Sequence, residues 1–409
     1  MQRAKAARPD VIRRHNLALV LQAVHLDGPL SRAELTARSG LSRSTIHGLV
    51  NELSELALLV ESVPVGGTRA GRPSHVVAAR ADGPYAVAVD VDVARVTAAA
   101  VGIGGRVLAR HVSPTDPGST RSPTEVALLV AAALPLLQAQ AGTGARAVGI
   151  GVSVPGTVDA GTGVVQSAPN LSWQDVPLRE LLDAALPSPL PVALSNDADL
   201  AVLAEHRRGS ARGCTDVVHL LGRVGVGAGI LVAGRPLRGR GGLAGEVGHM
   251  VVDPTGLPCR CGSRGCVETY ISDAALLRLA DCPPGTPVET VLRQAAQGES
   301  AALGAVHTVA HDVGRTVAGL VNLLNPEVVL LGGSLKEVLL LARDRIEAAL
   351  DAHAMAGARA MVRLVPSQLG DDSSLLGAAE LAFDPLLADP LLADPLQTPA
   401  VQTHAVDAP

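Results

Sequence analysis

The chain has 409 residues, room for two or three domains at roughly 150 residues each. It holds one Trp, two Tyr and one Phe, which argues against any mechanism that stacks single-stranded bases on rows of aromatic rings. At 47% hydrophobic and 18% charged, with a formal net charge of −5, the composition is that of a soluble globular protein, neither disordered nor supercharged.

The charge is unevenly placed. Residues 1 to 80 hold 11 Arg and Lys against 6 Asp and Glu, whereas the rest hold 23 against 33. A basic N-terminal module on an acidic body is the distribution expected of a duplex-DNA reader joined to a second domain, since phosphate attraction needs positive charge only at the contact. Met1 to Asn16 mixes Arg3, Lys5, Arg8, Arg13 and Arg14 with no apolar stretch, so it does not read as a secretory signal.

Val11 to Leu26 has the periodicity of a helix with Leu17, Val20, Leu21 and Val24 on one side, ended by Asp27-Gly28-Pro29. Ser31 is placed to cap a second helix running to about Arg38, Ser39-Gly40-Leu41 makes a turn, and Ser42 caps a third helix that buries Ile46, Leu49, Val50, Leu53 and Leu56. Outside that buried face, Arg43, His47 and Asn51 recur every four residues with Ser44 beside them, where a helix-turn-helix recognition helix carries its base-reading side chains. An ordinary solvated helix face is the alternative for each. Leu58 to Val63 and Ser74 to Ala79 then read as two strands of a winged hairpin. Its Gly71-Arg72-Pro73, preceded by Arg69, resembles the minor-groove insert of AT-hook peptides. The DNA-contacting set expected from this module is Ser42, Arg43, Ser44, His47, Asn51, Arg69 and Arg72.

From Tyr85 onward, short Val/Ala/Ile-rich strands alternate with helices, an α/β texture. Strands are expected at Tyr85 to Val91, Val148 to Val154, Val192 to Leu194, Val217 to Leu221, Gly229 to Val232 and Val328 to Leu331, and helices at Glu125 to Leu137, Ala198 to His206 and Ala305 to Leu324. The longest apolar run, Val126 to Leu137, is twelve residues with Pro135 inside it, short of the roughly 20 that span a bilayer, so no membrane helix is expected and the protein is placed in the cytoplasm. Asp384-Pro-Leu-Leu-Ala, Asp389-Pro-Leu-Leu-Ala and Asp394-Pro-Leu repeat near the C-terminus. Proline every five residues predicts a mobile tail over 384–409.

Of the five cysteines, three crowd into Gly248-His-Met-Val-Val-Asp-Pro-Thr-Gly-Leu-Pro-Cys-Arg-Cys-Gly-Ser-Arg-Gly-Cys266. His249, Cys259, Cys261 and Cys266 supply one imidazole and three thiolates, a complete tetrahedral set for zinc with no open position, which points to a structural ion and not to metal-activated water.

The chain resembles the ROK family of bacterial sugar kinases and sugar-responsive transcription factors over about Arg13 to Phe383. The resemblance is carried by Val152-Ser-Val-Pro-Gly156, Ala168-Pro-Asn-Leu-Ser-Trp173, Ser195-Asn-Asp197, Ala244-Gly-Glu-Val-Gly-His249, the cysteine loop with Val267-Glu268, and Asn325-Pro-Glu-Val-Val-Leu-Leu-Gly-Gly333. It implies a winged helix-turn-helix at 1–80 and a two-lobed, actin-like ATPase (ribonuclease H-like) body. Lobe 1 would span 81–197 and lobe 2, with the zinc loop, 198–383, the final helix packing back on lobe 1. It also implies a sugar cleft lined by Asn170, Asn196, Asp197, Glu246, His249 and Glu268, whose amides and carboxylates suit a ring of hydroxyls. Asn196 and Asp197 follow a strand and precede a helix, so capping is the competing role. Trp173 is expected in the core beside the site, with sugar stacking the alternative.

In the family's kinases Asp197 matches the general base, which makes it the catalytic residue if phosphoryl transfer survives. The phosphate loops speak against that. Where those kinases carry Asp-x-Gly-Gly-Thr this chain has Asp90-Val-Asp-Val-Ala-Arg95, and the second loop reads Gly222-Arg-Val-Gly-Val-Gly-Ala-Gly229 without its Thr. The expected protein is a sugar-responsive regulator of double-stranded operator DNA, a repressor, with structural zinc and without ATP. It is expected to form a homodimer or homotetramer reading two half-sites. The alternatives are a sugar kinase, bifunctional or not, and a repressor controlled by sequestration on a protein partner.

Overall fold

The computed structural model describes residues 9–62, 75–116, 119–142 and 144–393. The N-terminal module consists of α1 (Pro9–Asp27), β1 (Leu30–Ser31), α2 (Arg32–Ser39), α3 (Arg43–Glu55), β2 (Leu59–Ser62) and β3 (Val76–Ala79). Its helix boundaries are set by side chains. Ser31 accepts from the Glu34 N–H while the Glu34 carboxylate accepts from the Ser31 N–H, a reciprocal capping box. Gly40, at φ 69°, ends α2, and Ser42 caps α3 by accepting from the Thr45 N–H. The expected hairpin is present as an antiparallel pair with Leu59 opposite Ala79, and the two-residue β1, too short to show in the sequence pattern, adds a third strand beside β3. The segment 63–74, with Arg69 and Arg72, lies outside the described residues.

The first lobe follows: β4 (Tyr85–Val91), β5 (Arg95–Gly102), β6 (Val107–Pro114), α4 (Pro123–Ala141), β7 (Ala147–Val154), β8 (Thr157–Asp159), β9 (Val164–Ala168), β10 (Trp173–Val176), α5 (Leu178–Ala185) and β11 (Val192–Asn196). Five of these strands form a sheet in the order β11-β7-β4-β5-β6, parallel from β11 to β4 and antiparallel beyond. β4 is buried on both faces along its whole length, which is why its sequence shows no polar alternation. α4 is long and apolar enough to cross a membrane by length and composition alone; here Val126, Val130, Ala133 and Leu137 are buried in the lobe core.

α6 (Asp197–Arg208) joins the lobes. The second contains β12 (Val217–Gly222), β13 (Val226–Val232), β14 (Arg235–Pro236), α7 (Glu268–Ile271), α8 (Asp273–Leu279), α9 (Val288–Ala296), α10 (Ser300–Leu324), β15 (Val328–Gly333), α11 (Ser334–His353), α12 (Ala356–Arg359) and β16 (Arg363–Pro366). Its sheet runs β14-β13-β12-β15-β16, with α10 and α11 contributing Val306, Val313, Val317, Leu335, Val338 and Ile346 to the largest core of the molecule. The body therefore has the two-lobed, actin-like α/β architecture.

The last helix, α13 (Ser373–Ala388), returns to lobe 1 and lies against β4, β7 and α6. Gly377 makes the α6 contact possible, since a Cβ there would stand 1.9 Å from the Leu200 carbonyl oxygen. The expected mobile tail over 384–409 is corrected in its first part: α13 continues through Pro385 to Ala388, and a 3-10 turn covers Pro390–Ala393. Pro385 costs an N–H only near the helix end. Leu386, Leu387 and Ala393 offset it by entering one apolar cluster with Leu17, Val20, Leu21 and Val24 of α1. Residues 394–409 lie outside the described part.

Candidate functional site

A cleft between the lobes gathers Asn170, Asn196, Asp197, Glu246, His249 and Glu268, all six residues expected to meet a sugar. They arrive from separate places: Asn170 from the 3-10 turn before β10, Asn196 and Asp197 from the start of α6, Glu246 and His249 from a 3-10 turn, and Glu268 from α7. Gly225 opens space for them, because a Cβ on it would lie 2.6 Å from Glu268 Oε2. Asn196 is partly committed to structure: its Oδ1 accepts from the Ala198 and Asp199 N–H groups and its Nδ2 donates to the Gly156 carbonyl, leaving one amide hydrogen for a ligand. Of the two roles weighed for it in the sequence, capping is thus present in the structure. Trp173 is only 4% exposed and its indole N–H donates to the Arg121 carbonyl, which places it in the core.

Burial pushes the Asp197 carboxyl up to about 6, reinforced by Asp90 and Asp92 and opposed by Arg223. Asp199, two positions beyond the motif and not singled out in the sequence, lines the same cleft. Burial raises it to about 6 as well, with Asp197 and Glu246 adding to the effect and Arg238 opposing it. Arg260 was also missed; it lies between two cysteines of the metal loop and reaches across the cleft, donating to Asn170 Oδ1 at 3.0 Å. Arg223 sits beneath, its Nη1 3.4 Å from Asp92, 3.8 Å from Asp90 and 4.0 Å from Asp197. Asp90, Asp92, Asp197 and Arg223 thus form an internal ion cluster.

The ligand atoms of His249, Cys259, Cys261 and Cys266 lie within 4.8 Å of one another. His249 Nδ1 is 3.8 Å from Cys259 Sγ, and Cys261 Sγ is 3.7 Å from Cys266 Sγ. A tetrahedral ion with metal–sulfur bonds of about 2.3 Å sets its sulfurs about 3.8 Å apart, so the four residues fit a metal of that size. Burial and the neighbouring thiols push Cys266 up to about 12, a crowding of ionisable sulfurs that a divalent cation would relieve. His249 turns its other nitrogen, Nε2, toward Glu246 at 3.9 Å, so one ring faces the thiols on one side and the cleft on the other.

At its far end α6 enters a second buried cluster. Arg208 donates to Glu380 at 2.5 Å and to the Gly104 carbonyl at 2.8 Å, and Arg207 reaches Glu380 at 2.9 Å and Asp384 at 2.8 Å. His25 of α1, fully buried, places Nε2 3.0 Å from Glu380, while its Nδ1 accepts from the Gly104 N–H. Burial alone would raise Glu380, but the bond from His25 and the two guanidinium groups hold it well below the usual carboxylate range. Nothing in the sequence pattern links residues 25, 104, 208 and 380.

On α3, Ser42, Arg43, Ser44, His47 and Asn51 are all exposed, forming the polar stripe expected. Arg32 joins them by contacting His47 Nδ1 and pairing with Glu61 at 2.5 Å.

A sequence model of the ROK family matches residues 86–384. The xylose repressor of Bacillus subtilis (strain 168) is 25% identical over 380 residues, 92% of this chain and 97% of the relative. Among solved structures, a ROK family transcriptional regulator described as a homolog of the E. coli MLC protein superposes with a TM-score of 0.75 at 26% identity, over 94% of this chain and 98% of that one. A ROK family glucokinase from Streptomyces griseus, in complex with glucose and AMPPNP, gives 0.63 at 30% identity over 73% of this chain and 98% of the kinase.

Proposed function

The chain belongs to the ROK family, and from that premise we propose that it is a sugar-responsive, DNA-binding transcriptional regulator, a repressor released from its operator by sugar. The observation that carries this reading is the path of α6. It starts with Asn196 and Asp197 in the cleft and ends with Arg207 and Arg208 in the cluster that holds α1 of the helix-turn-helix. Sugar bound between the lobes favours one closure, and closure moves α6 against the DNA-binding module. The ligand shifts operator affinity by its differential affinity for the two states.

Each part has a defined task. Asn170, Glu246 and Glu268 exchange hydrogen bonds with sugar hydroxyls, and the raised carboxyl of Asp197 can donate as well as accept near pH 6. His249, Cys259, Cys261 and Cys266 hold a structural zinc ion, which supplies a fixed ring orientation for His249 and no chemistry of its own. Arg43, Ser44, His47 and Asn51 face the major groove, with Ser42 at the helix start. Arg69 and Arg72 of the hairpin would take the adjacent minor groove in a dimer that reads two half-sites. Arg43→Ala is expected to raise the operator Kd roughly 5- to 150-fold, the cost of one direct contact, as read by fluorescence anisotropy.

The alternative of a sugar kinase would use Asp197 as the base. Arg223, paired with Asp90, Asp92 and Asp197, speaks against it, because a carboxylate, Asp92, stands where the family's kinases carry a glycine of their first phosphate loop and is tied to that guanidinium. Incubation of the purified protein with hexoses and ATP is expected to yield no sugar-dependent ADP. ADP production that Asp197→Asn abolishes would establish the kinase instead.

A further inference from the structure

We infer that Arg32 is a positioning residue for DNA recognition. It fixes His47 in the neutral tautomer that carries its proton on Nε2, so His47 offers the major groove a hydrogen-bond donor and selects a purine through N7. The inference rests on the DNA-binding reading above and adds the base edge that one recognition residue takes.

Arg32 opens α2, and its two terminal nitrogens part ways. Nη1 meets His47 Nδ1 on α3, while Nη2 pairs with Glu61 Oε2 on β2 at 2.5 Å. Glu61 is only 20% exposed, and its other oxygen lies 3.9 Å from Nδ1 of His75, the residue before β3. One arm of the fork is thus anchored on the hairpin, and the other is directed at the recognition helix. A guanidinium has N–H donors and no acceptor, so the lone pair of His47 Nδ1 must face it. A neutral imidazole carries one proton, which then sits on Nε2. A doubly protonated ring would set N–H against N–H and cation against cation.

Nε2 lies on the exposed stripe beside Asn51, whose Nδ2 stands 3.4 Å away. Two N–H groups do not bond each other, so a half-turn of the amide lets Oδ1 accept the Nε2 proton in the free protein. On DNA the same proton is available to a base. Both purines show an N7 acceptor in the major groove, whereas cytosine shows an amine that an N–H cannot meet, and thymine O4 lies beside a methyl group. Without Arg32 the ring is free to take the other tautomer, whose bare Nε2 would accept from cytosine N4. Loss of Arg32 therefore relaxes the choice of base and does not merely weaken binding.

The test uses a duplex selected from random sequence by the full chain. A second selection with His47→Ala finds the base pair that His47 reads, as the position whose preference disappears. Replacing the purine there by its 7-deaza analogue, which lacks the N7 acceptor, is expected to raise the wild-type Kd about fivefold or more and to leave the His47→Ala Kd unchanged. At that position the preference for purine over cytosine should narrow about threefold or more in Arg32→Ala. It should narrow as far in Arg32→Lys, which keeps the charge and the Glu61 pair but has one nitrogen where the fork had two. Nitrogen NMR of the histidine rings should show His47 as the Nε2–H tautomer in the wild type and as a mixture in both variants. A 7-deaza duplex that the wild type binds as tightly, or a His47→Ala selection that keeps every preference, overturns the inference while leaving DNA binding intact. An unchanged purine preference in both Arg32 variants overturns the part assigned to Arg32. If no duplex is enriched, the DNA-binding reading falls and the inference falls with it.

Discussion

Replacing Glu380 by alanine is expected to lower stability by about 3–5 kcal/mol and to weaken the response of DNA binding to sugar. Glu380 is 1% exposed and is the shared acceptor for His25, Arg207 and Arg208. Without it, two guanidinium groups and an imidazole are left in a low-dielectric junction whose remaining carboxylate, the half-exposed Asp384, pairs with Arg207 alone. Denaturant unfolding measures the first part. Asp372→Ala, which removes a partly exposed pair with Arg110, is the reference and should cost at most about 1 kcal/mol. Operator titration with and without sugar measures the second part. If Glu380 supplies only packing, Glu380→Gln should restore both stability and response. If the charge ties α6 to α1, the glutamine variant should recover part of the stability and still respond weakly. A Glu380→Ala protein no less stable than the Asp372→Ala reference would contradict the role given to the junction.

The second large effect is expected at the metal loop. Cys266→Ser, or removal of the ion with a chelator, should abolish stoichiometric zinc and weaken sugar binding about 10- to 100-fold. Cys266 is fully buried, and its loss leaves three ligands for an ion that takes four in structural sites. The sugar effect follows from His249, whose Nδ1 side faces the thiols and whose Nε2 side faces Glu246 and the cleft. Without the ion the ring is free to turn, and the loop carrying Arg260 toward Asn170 loses its anchor. Metal content by mass spectrometry, paired with a sugar titration on the same sample, checks both halves. Full sugar affinity in metal-free protein would separate the loop from the effector site.

Much of this was legible in the residues. Ser31, Ser42 and Gly40 fix the helix ends of the N-terminal module through local hydrogen bonds, and such signals act within four residues. β4 was readable from end to end as a buried run, apolar but for Asp90. The six cleft residues were reached through the family resemblance, since no spacing rule unites positions 170, 197, 246 and 268. What escaped depends on tertiary contact. Pro385 reads as a helix breaker, yet α13 passes through it because Leu386, Leu387 and Ala393 find a partner surface on α1, 360 residues earlier in the chain. Asp199 lies outside every motif and Arg260 is a non-ligand position inside the cysteine loop, and only the tertiary fold brings them to the cleft. His25 sits on the buried side of its helix, where the pattern shows a polar residue but cannot show Glu380 waiting for it.

On the proposed function, sugar in the cleft controls DNA binding at the other end of α6. Its most direct test is the Kd of the full chain for an operator selected from random duplexes, measured with and without the free sugar that most raises Tm. Expected is at least a tenfold change in Kd with sugar, lost in Glu246→Ala while that variant still binds the operator. An operator affinity untouched by a sugar that binds the native protein would contradict it.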